Sequence, residues 1–309
     1  MPLGYPKPLY ILPFDHRTSF AKDLLGVTGE ITGKDKGEIS ALKQVIYESF
    51  QRALKLGVPK ENAALLVDEE YGGDIIRDAS AKGLITCLTV EKSGGDGFEF
   101  EYEDFGAHIN SIKPAFVKAL VRYNPGGDSS VNSRSLSLLK NLSDFSRENG
   151  YKFLLEPLVP PLESDIKNAG GKDEYDANIR PELTVRMMKE FQEAGVEPDI
   201  WKIEGMEKKE DYENAVLQAR SGLPAEASAR SGGRAGVGVI ILGRGEDESR
   251  VSSWIEAGRG IDGIIGFAVG RTVFLKPLLD FKKGVVSREE VIDKIALNYK
   301  RFYELFVNK

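Results

Sequence analysis

The stretch "DIWKIEG", residues 199–205, places Lys202 and Glu204 two residues apart inside a run otherwise suited to a buried strand. Strand alternation sends Trp201 and Ile203 to one face and Lys202 and Glu204 to the other. A buried ammonium is costly unless it is paired or loses its proton. Three readings follow: the lysine is not buried, it is neutralised by a partner, or it has a chemical task. The task a strand lysine suits is attack on a carbonyl to give a Schiff base. That requires the free amine, which burial and a nearby second cation favour.

Other polar residues stand at the ends of apolar runs in a way that suits such chemistry. "LYILPF" runs into Asp15, His16 and Arg17, and "VDEEYGG" carries Asp68 and Glu70. Alternation in "AFVKALVR" puts Lys118 and Arg122 on one face, opposite Val117, Ala119 and Val121. "YKFLLE" ends in Glu156. Lys118 is the candidate second cation, and Glu204 opposes it by its negative charge. Glu156 is the candidate acid/base for the proton transfers of carbinolamine formation and C–C cleavage. Two glycine–arginine turns, Gly243-Arg244-Gly245 and Gly270-Arg271, suit a phosphate held by backbone N–H groups, a helix N-terminus and guanidinium groups. Arg17 and Arg122 are candidates for a substrate carboxylate. Each of these residues also has a plain reading as a solvated strand end or an internal ion pair. Their convergence on one rim is what argues for a site.

That convergence needs a particular architecture. Eight short apolar runs occur: 9–14, 63–68, 84–90, 115–121, 151–156, 199–204, 237–242 and 262–267. Segments of helical period lie between them, at 39–54, 134–147, 181–194, 207–220, 246–257 and 270–282. A last helix opens at Ser287 and Glu290, which have capping-box spacing, and continues through Val291, Ile295, Tyr299, Phe302 and Phe306. This alternation predicts one parallel (β/α)8 barrel over residues 1–309, with an additional C-terminal helix. An open doubly wound sheet is the alternative, but the glycine fingerprint expected after its first strand is missing from "FDHRTSF". Residues 158–180, polar and rich in Pro and Gly, read as a long loop on the active-site face. Residues 221–236 read as a flexible connector on the opposite face.

Composition narrows the classes. With 41% hydrophobic and 29% charged residues, the 309-residue chain resembles an ordinary soluble protein. No apolar run nears the ~18 residues a membrane helix requires. The N-terminus lacks signal-peptide layout, and the one cysteine, Cys87, allows no internal disulfide. A cytoplasmic protein is expected. A net charge of −6 without a basic run argues against nucleic acid as partner. The two histidines, His16 and His108, cannot form a three-histidine zinc site. The carboxylates Asp15, Asp68, Glu70, Glu156 and Glu204 keep a magnesium enzyme in view. A non-catalytic phosphosugar-binding protein is a further alternative. The expected partner is a small phosphorylated sugar, and a homo-oligomer is compatible with the sequence.

Taken in order, "LPFDHR", "VDEEYG", "FVKALVRYNP", "LLEP", "WKIEG", "ILGRG" and "GFAVGRTVF" resemble the 2-deoxy-5-keto-D-gluconate 6-phosphate aldolase domain family. That family is often fused to a sugar kinase in myo-inositol catabolism and is similar to the metal-independent tagatose 1,6-bisphosphate aldolases. The resemblance runs from Leu9 to about Phe274, and 309 residues leave no room for a kinase. It implies a (β/α)8 barrel and Schiff-base aldol cleavage with no cofactor and no metal. It maps the imine lysine to Lys202, the acid/base to Glu156, and supporting roles to Asp15 and Lys118. It maps the phosphate arginine to Arg271. The chain departs from the tagatose pattern at His16, where those enzymes have Gln, and at "LGRG", where they have a Ser-containing loop.

Overall fold

The computed structural model describes residues 2–221 and 233–308. Eight parallel strands close into a barrel in sequential order. They are β1 (Leu9–Pro13), β2 (Ala63–Val67), β3 (Ile85–Thr89), β4 (Phe116–Arg122), β5 (Lys152–Leu158), β6 (Ile200–Glu204), β7 (Gly238–Leu242) and β8 (Ile264–Ala268). Both faces of these strands are covered, so each reads as a nearly continuous apolar run and not as a strict alternation.

The helices are α1 (Thr18–Leu25), α2 (Gly33–Lys55), α3 (Glu69–Ala81), α4 (Phe105–Ile112), α5 (Ser129–Asn149), α6 (Glu163–Ala169), the one-turn α7 (Lys172–Glu174), α8 (Arg180–Glu193), α9 (Lys209–Arg220), α10 (Glu248–Gly258), α11 (Arg271–Lys282) and α12 (Arg288–Val307). The helix after the eighth strand is thus followed by one more. Ser287 caps α12 in a capping box with Glu290, as the spacing predicts. α12 packs along α2, and its Tyr299 hydroxyl donates to the Tyr10 carbonyl on β1 at 2.7 Å.

Two apolar layers result. One lies between barrel and helices; the other fills the barrel, with Leu9, Leu66, Cys87, Phe116, Leu154, Ile200 and Ile240 among its members. Burial pushes the Cys87 thiol up to about 12, which makes it the inert core residue its neighbours suggest. The N-terminal segment closes the barrel's lower end. Gly4 N–H donates to Asp199 at 2.8 Å, and the Tyr5 ring meets Phe116 edge-on at 5.0 Å.

One expectation is corrected here. Residues 158–180 are not a loop throughout: after Pro161 they form α6, α7 and a π-helical turn, Tyr175–Ile179. The pieces are too short for a helical period, and Gly170–Gly171 interrupts them. The expected connector at 221–236 falls largely on residues 222–232, outside the described residues.

Candidate active site

Above the apolar filling of the barrel, the next inward layer is charged. Alternation carries β3 from Cys87 to Thr89 and then Glu91, β4 from Phe116 to Lys118, β5 from Leu154 to Glu156, and β6 from Ile200 to Lys202. Lys202 Nζ lies 2.7 Å from Glu156 Oε2. Lys118 Nζ approaches the same oxygen at 2.9 Å, Asp15 Oδ2 at 2.8 Å and Glu91 Oε1 at 2.6 Å. Thr89 Oγ1 sits 3.0 Å from Asp15 and 3.1 Å from Glu91. Lys118 and Lys202 are each about 1% exposed. They form the floor of a cavity of about 560 Å³ that opens at the C-terminal ends of the strands.

Two lysines therefore share three carboxylates. Burial alone opposes ionisation, yet around Lys118 the charges prevail. Burial pulls its ammonium down, but Asp15, Glu156 and Glu91 together hold it well above the usual lysine range. Burial pushes the Asp15 carboxyl up, and Lys118, His16 and Lys202 outweigh that and hold it far below the usual range. Glu156 is likewise held low, by Lys118 and Lys202 against burial. Lys118 is thereby fixed as a cation. Lys202 touches only the carboxylate that Lys118 also holds. Burial pushes His16 down to about 4 in spite of Asp15, so its ring is neutral near pH 7.

The second feature of the cavity is its β7–β8 side. Gly270 precedes α11, and no side chain caps that helix, so its first N–H groups face the mouth unclaimed by a cap. A Cβ at Gly270 would lie 2.2 Å from the Pro13 carbonyl, which is why the chain has glycine there. The Arg271 guanidinium lies over Gly245, where a Cβ would come within 2.6 Å of it and where φ is +80°. Arg271 Nη2 donates to the Arg244 carbonyl at 2.6 Å, and its buried Nε has no partner.

The structure sorts the remaining expected residues. Arg17, Arg122, Arg244, Gly245, Gly270 and Arg271 line the cavity. Arg17 is already engaged by Glu101 at 2.6 Å and by the Glu91 carbonyl. Arg122 donates to the Gly95 carbonyl at 3.2 Å. Gly243 does not line the cavity; it packs under Val251 and Val269. Asp68 and Glu70 do not line it either. Asp68 caps α3 through Tyr71 N–H at 2.8 Å and pairs with the buried Lys43, whereas Glu70 meets Lys36 at the surface. Glu204 faces Arg244 at 3.1 Å and the Val159 N–H at 2.9 Å, so the carboxylate on Lys202 is Glu156 and not Glu204. The oxygen set expected for magnesium is dispersed among these different partners. Glu91 was not anticipated, and neither were Asp176, which meets Arg244 at 2.8 Å, and Arg180, which meets Asp176 at 2.9 Å, the last two without lining the cavity. Glu91 was legible, since it continues the inward phase of Cys87 and Thr89 one step past the apolar run. Asp176 and Arg180 lie in the π-turn region, where no period betrays an orientation.

The chain is similar to known proteins in sequence and in fold. Tagatose 1,6-diphosphate aldolases of Listeria monocytogenes and Listeria innocua are 26% identical over 200 residues. That match covers 62% of this chain and 54% of those proteins, so the chain spans about half the length of the curated relatives it matches. Three solved structures share the fold, each with a TM-score of 0.56 over 97% of this chain. One is a Corynebacterium glutamicum protein at 19% identity, covered over 88% of its length. Another is a Schiff base forming fructose-1,6-bisphosphate aldolase at 14% identity, covered over 94%. The third is an archaeal fructose-1,6-bisphosphate aldolase at 12% identity, covered over 94%, whose catalytic lysine carries the carbinolamine intermediate. The family model described as an uncharacterized protein conserved in bacteria (DUF2090) matches residues 5–309, and the chain belongs to that family.

Proposed function

We propose that the protein is a class I aldolase that cleaves a phosphorylated keto sugar, or keto sugar acid, through an imine at Lys202. The observation that carries this reading is the 2.7 Å contact of the Lys202 amine with Glu156 on the cavity floor, beside a lysine held as a cation by three carboxylates. An amine attacks a carbonyl only without its extra proton. Glu156 stands where it can take that proton. Once Lys202 is no longer charged, one of the influences holding the Glu156 carboxyl low disappears, and its hold on the proton strengthens. The amine adds to the ketone, the carbonyl oxygen is protonated, and water leaves from the carbinolamine. The resulting iminium draws the electron pair of the adjacent C–C bond as a base removes the proton of the β-hydroxyl. An aldehyde departs, and the enamine is protonated and hydrolysed to release the ketone product. Lys118 stays a cation throughout and stabilises negative charge on the reacting oxygens.

The phosphate of the substrate is assigned to Arg271, Gly245 and the uncapped start of α11. The relatives named for tagatose 1,6-diphosphate favour a phosphorylated ketose. On the β3–β4 rim Lys92 and Arg122 line the cavity with no ion-pair partner among the described residues, which suits a second anionic group. The favoured substrate is 2-deoxy-5-keto-D-gluconate 6-phosphate, giving dihydroxyacetone phosphate and malonate semialdehyde. Its carboxylate would meet that rim. Borohydride reduction in the presence of phosphorylated keto sugars, read by peptide mass spectrometry, tests the reading. Substrate mass is expected on Lys202. A protein that only binds phosphosugars gains no covalent mass, and activity lost to EDTA would favour a metal-dependent reaction.

A further inference from the structure

Arg244 reaches the cavity wall beside Arg271, yet two of its nitrogens are engaged by acids of the protein itself. Nη1 meets Asp176 Oδ1 at 2.8 Å, and Nε meets Glu204 Oε1 at 3.1 Å. Its backbone is left-handed, φ 54°, which is uncommon for a residue with a side chain. Asp176 belongs to the π-helical turn Tyr175–Ile179, a rare geometry that recurs at functional sites. The same Asp176 Oδ1 also receives Arg180 Nε at 2.9 Å, and Arg180 Nη2 is anchored on the Gly205 carbonyl at 2.8 Å. One carboxylate oxygen thus serves two guanidinium groups. The other oxygen, Asp176 Oδ2, and Arg180 Nη1 are both buried without hydrogen-bond partners. Such a half-satisfied buried network is not the only arrangement these groups can make. Without Arg244, Asp176 keeps the buried Arg180, with Arg250 Nη2 4.0 Å from its Oδ2.

We propose that Asp176 is a built-in competitor at the phosphate end of the site: it occupies Arg244 in the empty protein, and an incoming phosphate takes Arg244 from it. The inference rests on the phosphate position given under Proposed function. Two consequences follow. A dianionic phosphate displaces the aspartate where a single negative charge does so poorly, so Asp176 sharpens selection for phosphorylated substrates. The exchange also loosens the segment after β5 from the loop after β7, because the Asp176–Arg244 pair is the shortest tie between them, the others being Arg250 to Asp173 at 3.6 Å and to Asp176 at 4.0 Å. Substrate binding and the order of residues 172–180 are thereby coupled.

Inorganic phosphate is the probe, with calorimetry for affinity and hydrogen exchange for the segment. Phosphate is expected to bind the wild type and to speed exchange of the amides at 172–180. Asp176→Asn keeps the shape and removes the competing charge. It is expected to tighten phosphate about three- to tenfold, the worth of one partly buried ion pair, and to abolish the exchange response. Arg244→Gln is expected to weaken phosphate and abolish the response as well. Phosphate binding with exchange at 172–180 unchanged or slowed overturns the proposal, and this result needs no variant to fold. Weaker phosphate binding by a folded Asp176→Asn also overturns it, because Asp176 would then merely position Arg244. Absence of phosphate binding to the wild type removes the phosphate site and this inference together, while the borohydride test of Lys202 stands apart.

Discussion

Lys43 and Lys202 are both lysines buried beside a carboxylate, and they face opposite fates. Lys43 lies outside the barrel wall, against the rings of Phe20 and Tyr71 at 5.3 Å each, and pairs with Asp68 alone. Burial prevails there. It pulls the Lys43 ammonium down despite Asp68 and pushes the Asp68 carboxyl up despite Lys43. Asp68 spends its other oxygen on capping α3, and neither residue lines the cavity. Lys202 instead opens onto the cavity and belongs to a group with one more acid than bases, where the ionic partners prevail over burial at Asp15, Glu156 and Lys118. A sealed one-to-one pair joins elements of the fold. A shared, unbalanced cluster open to a cavity has protons to move.

The largest effect expected from this contrast is at Lys202. Lys202→Met and Lys202→Arg should both abolish turnover and borohydride-dependent labelling, since a guanidinium does not deprotonate. If Lys202 were a structural partner like Lys43, the arginine variant would keep most of the activity in a steady-state assay. Labelling at Lys118 in the wild type would move the imine to that residue.

Glu156→Gln retains the shape and removes the titrating group. Turnover should fall about 10²–10⁴-fold, the range for general acid/base catalysis. Trapping of the imine should persist at a reduced rate. Unchanged turnover removes Glu156 from the proton transfers.

At the sealed pair the expected loss is in stability. Lys43→Met alone strands a buried carboxylate and should cost about 3–5 kcal/mol. The double variant Lys43→Met/Asp68→Leu removes both charges and should recover most of that, because an apolar replacement of a buried pair is often neutral or stabilising. Urea denaturation reads both. A double variant as unstable as the single would mean the pair is needed for more than joining α2 to β2.

The same contrast explains what the sequence discloses. The barrel was legible because doubly covered strands leave continuous apolar runs; each of the eight became a strand with ends displaced by at most two residues. Asp15, Lys118, Glu156 and Lys202 were legible because each continues the inward phase of its strand. Asp68 continues an inward phase too, after Ala64 and Leu66, and here the rule misled. The chain turns into α3 at Asp68, and Lys43, distant in sequence, claims the side chain. Strand phase tells which way a residue starts to point; only the packed helices tell what meets it. Glu204 makes the same point, since the partner that turns it from Lys202 is Arg244, on another strand's loop.

The smallest effect expected is the pH dependence of stability around His16. Its folded value of about 4 lies below the ordinary ~6.5. The folded protein therefore binds fewer protons there than the unfolded chain does, and stability rises with pH across that window. The contribution is fully present above about pH 6.5 and is lost as pH falls towards 4. Asp15 is also depressed, so its contribution fades in turn as pH drops below the ordinary carboxylate value of about 4. Asp68 is raised, so its contribution runs the other way: it is complete at low pH and is lost as pH rises through its folded value. His16→Gln keeps a polar side chain without a titration in this range. Urea midpoints for wild type and variant, measured from pH 7 to 4, should converge on acidification. Their difference should shrink by on the order of 1–3 kcal/mol. Parallel curves would mean that His16 protonates as readily folded as unfolded, and that burial does not hold the ring neutral.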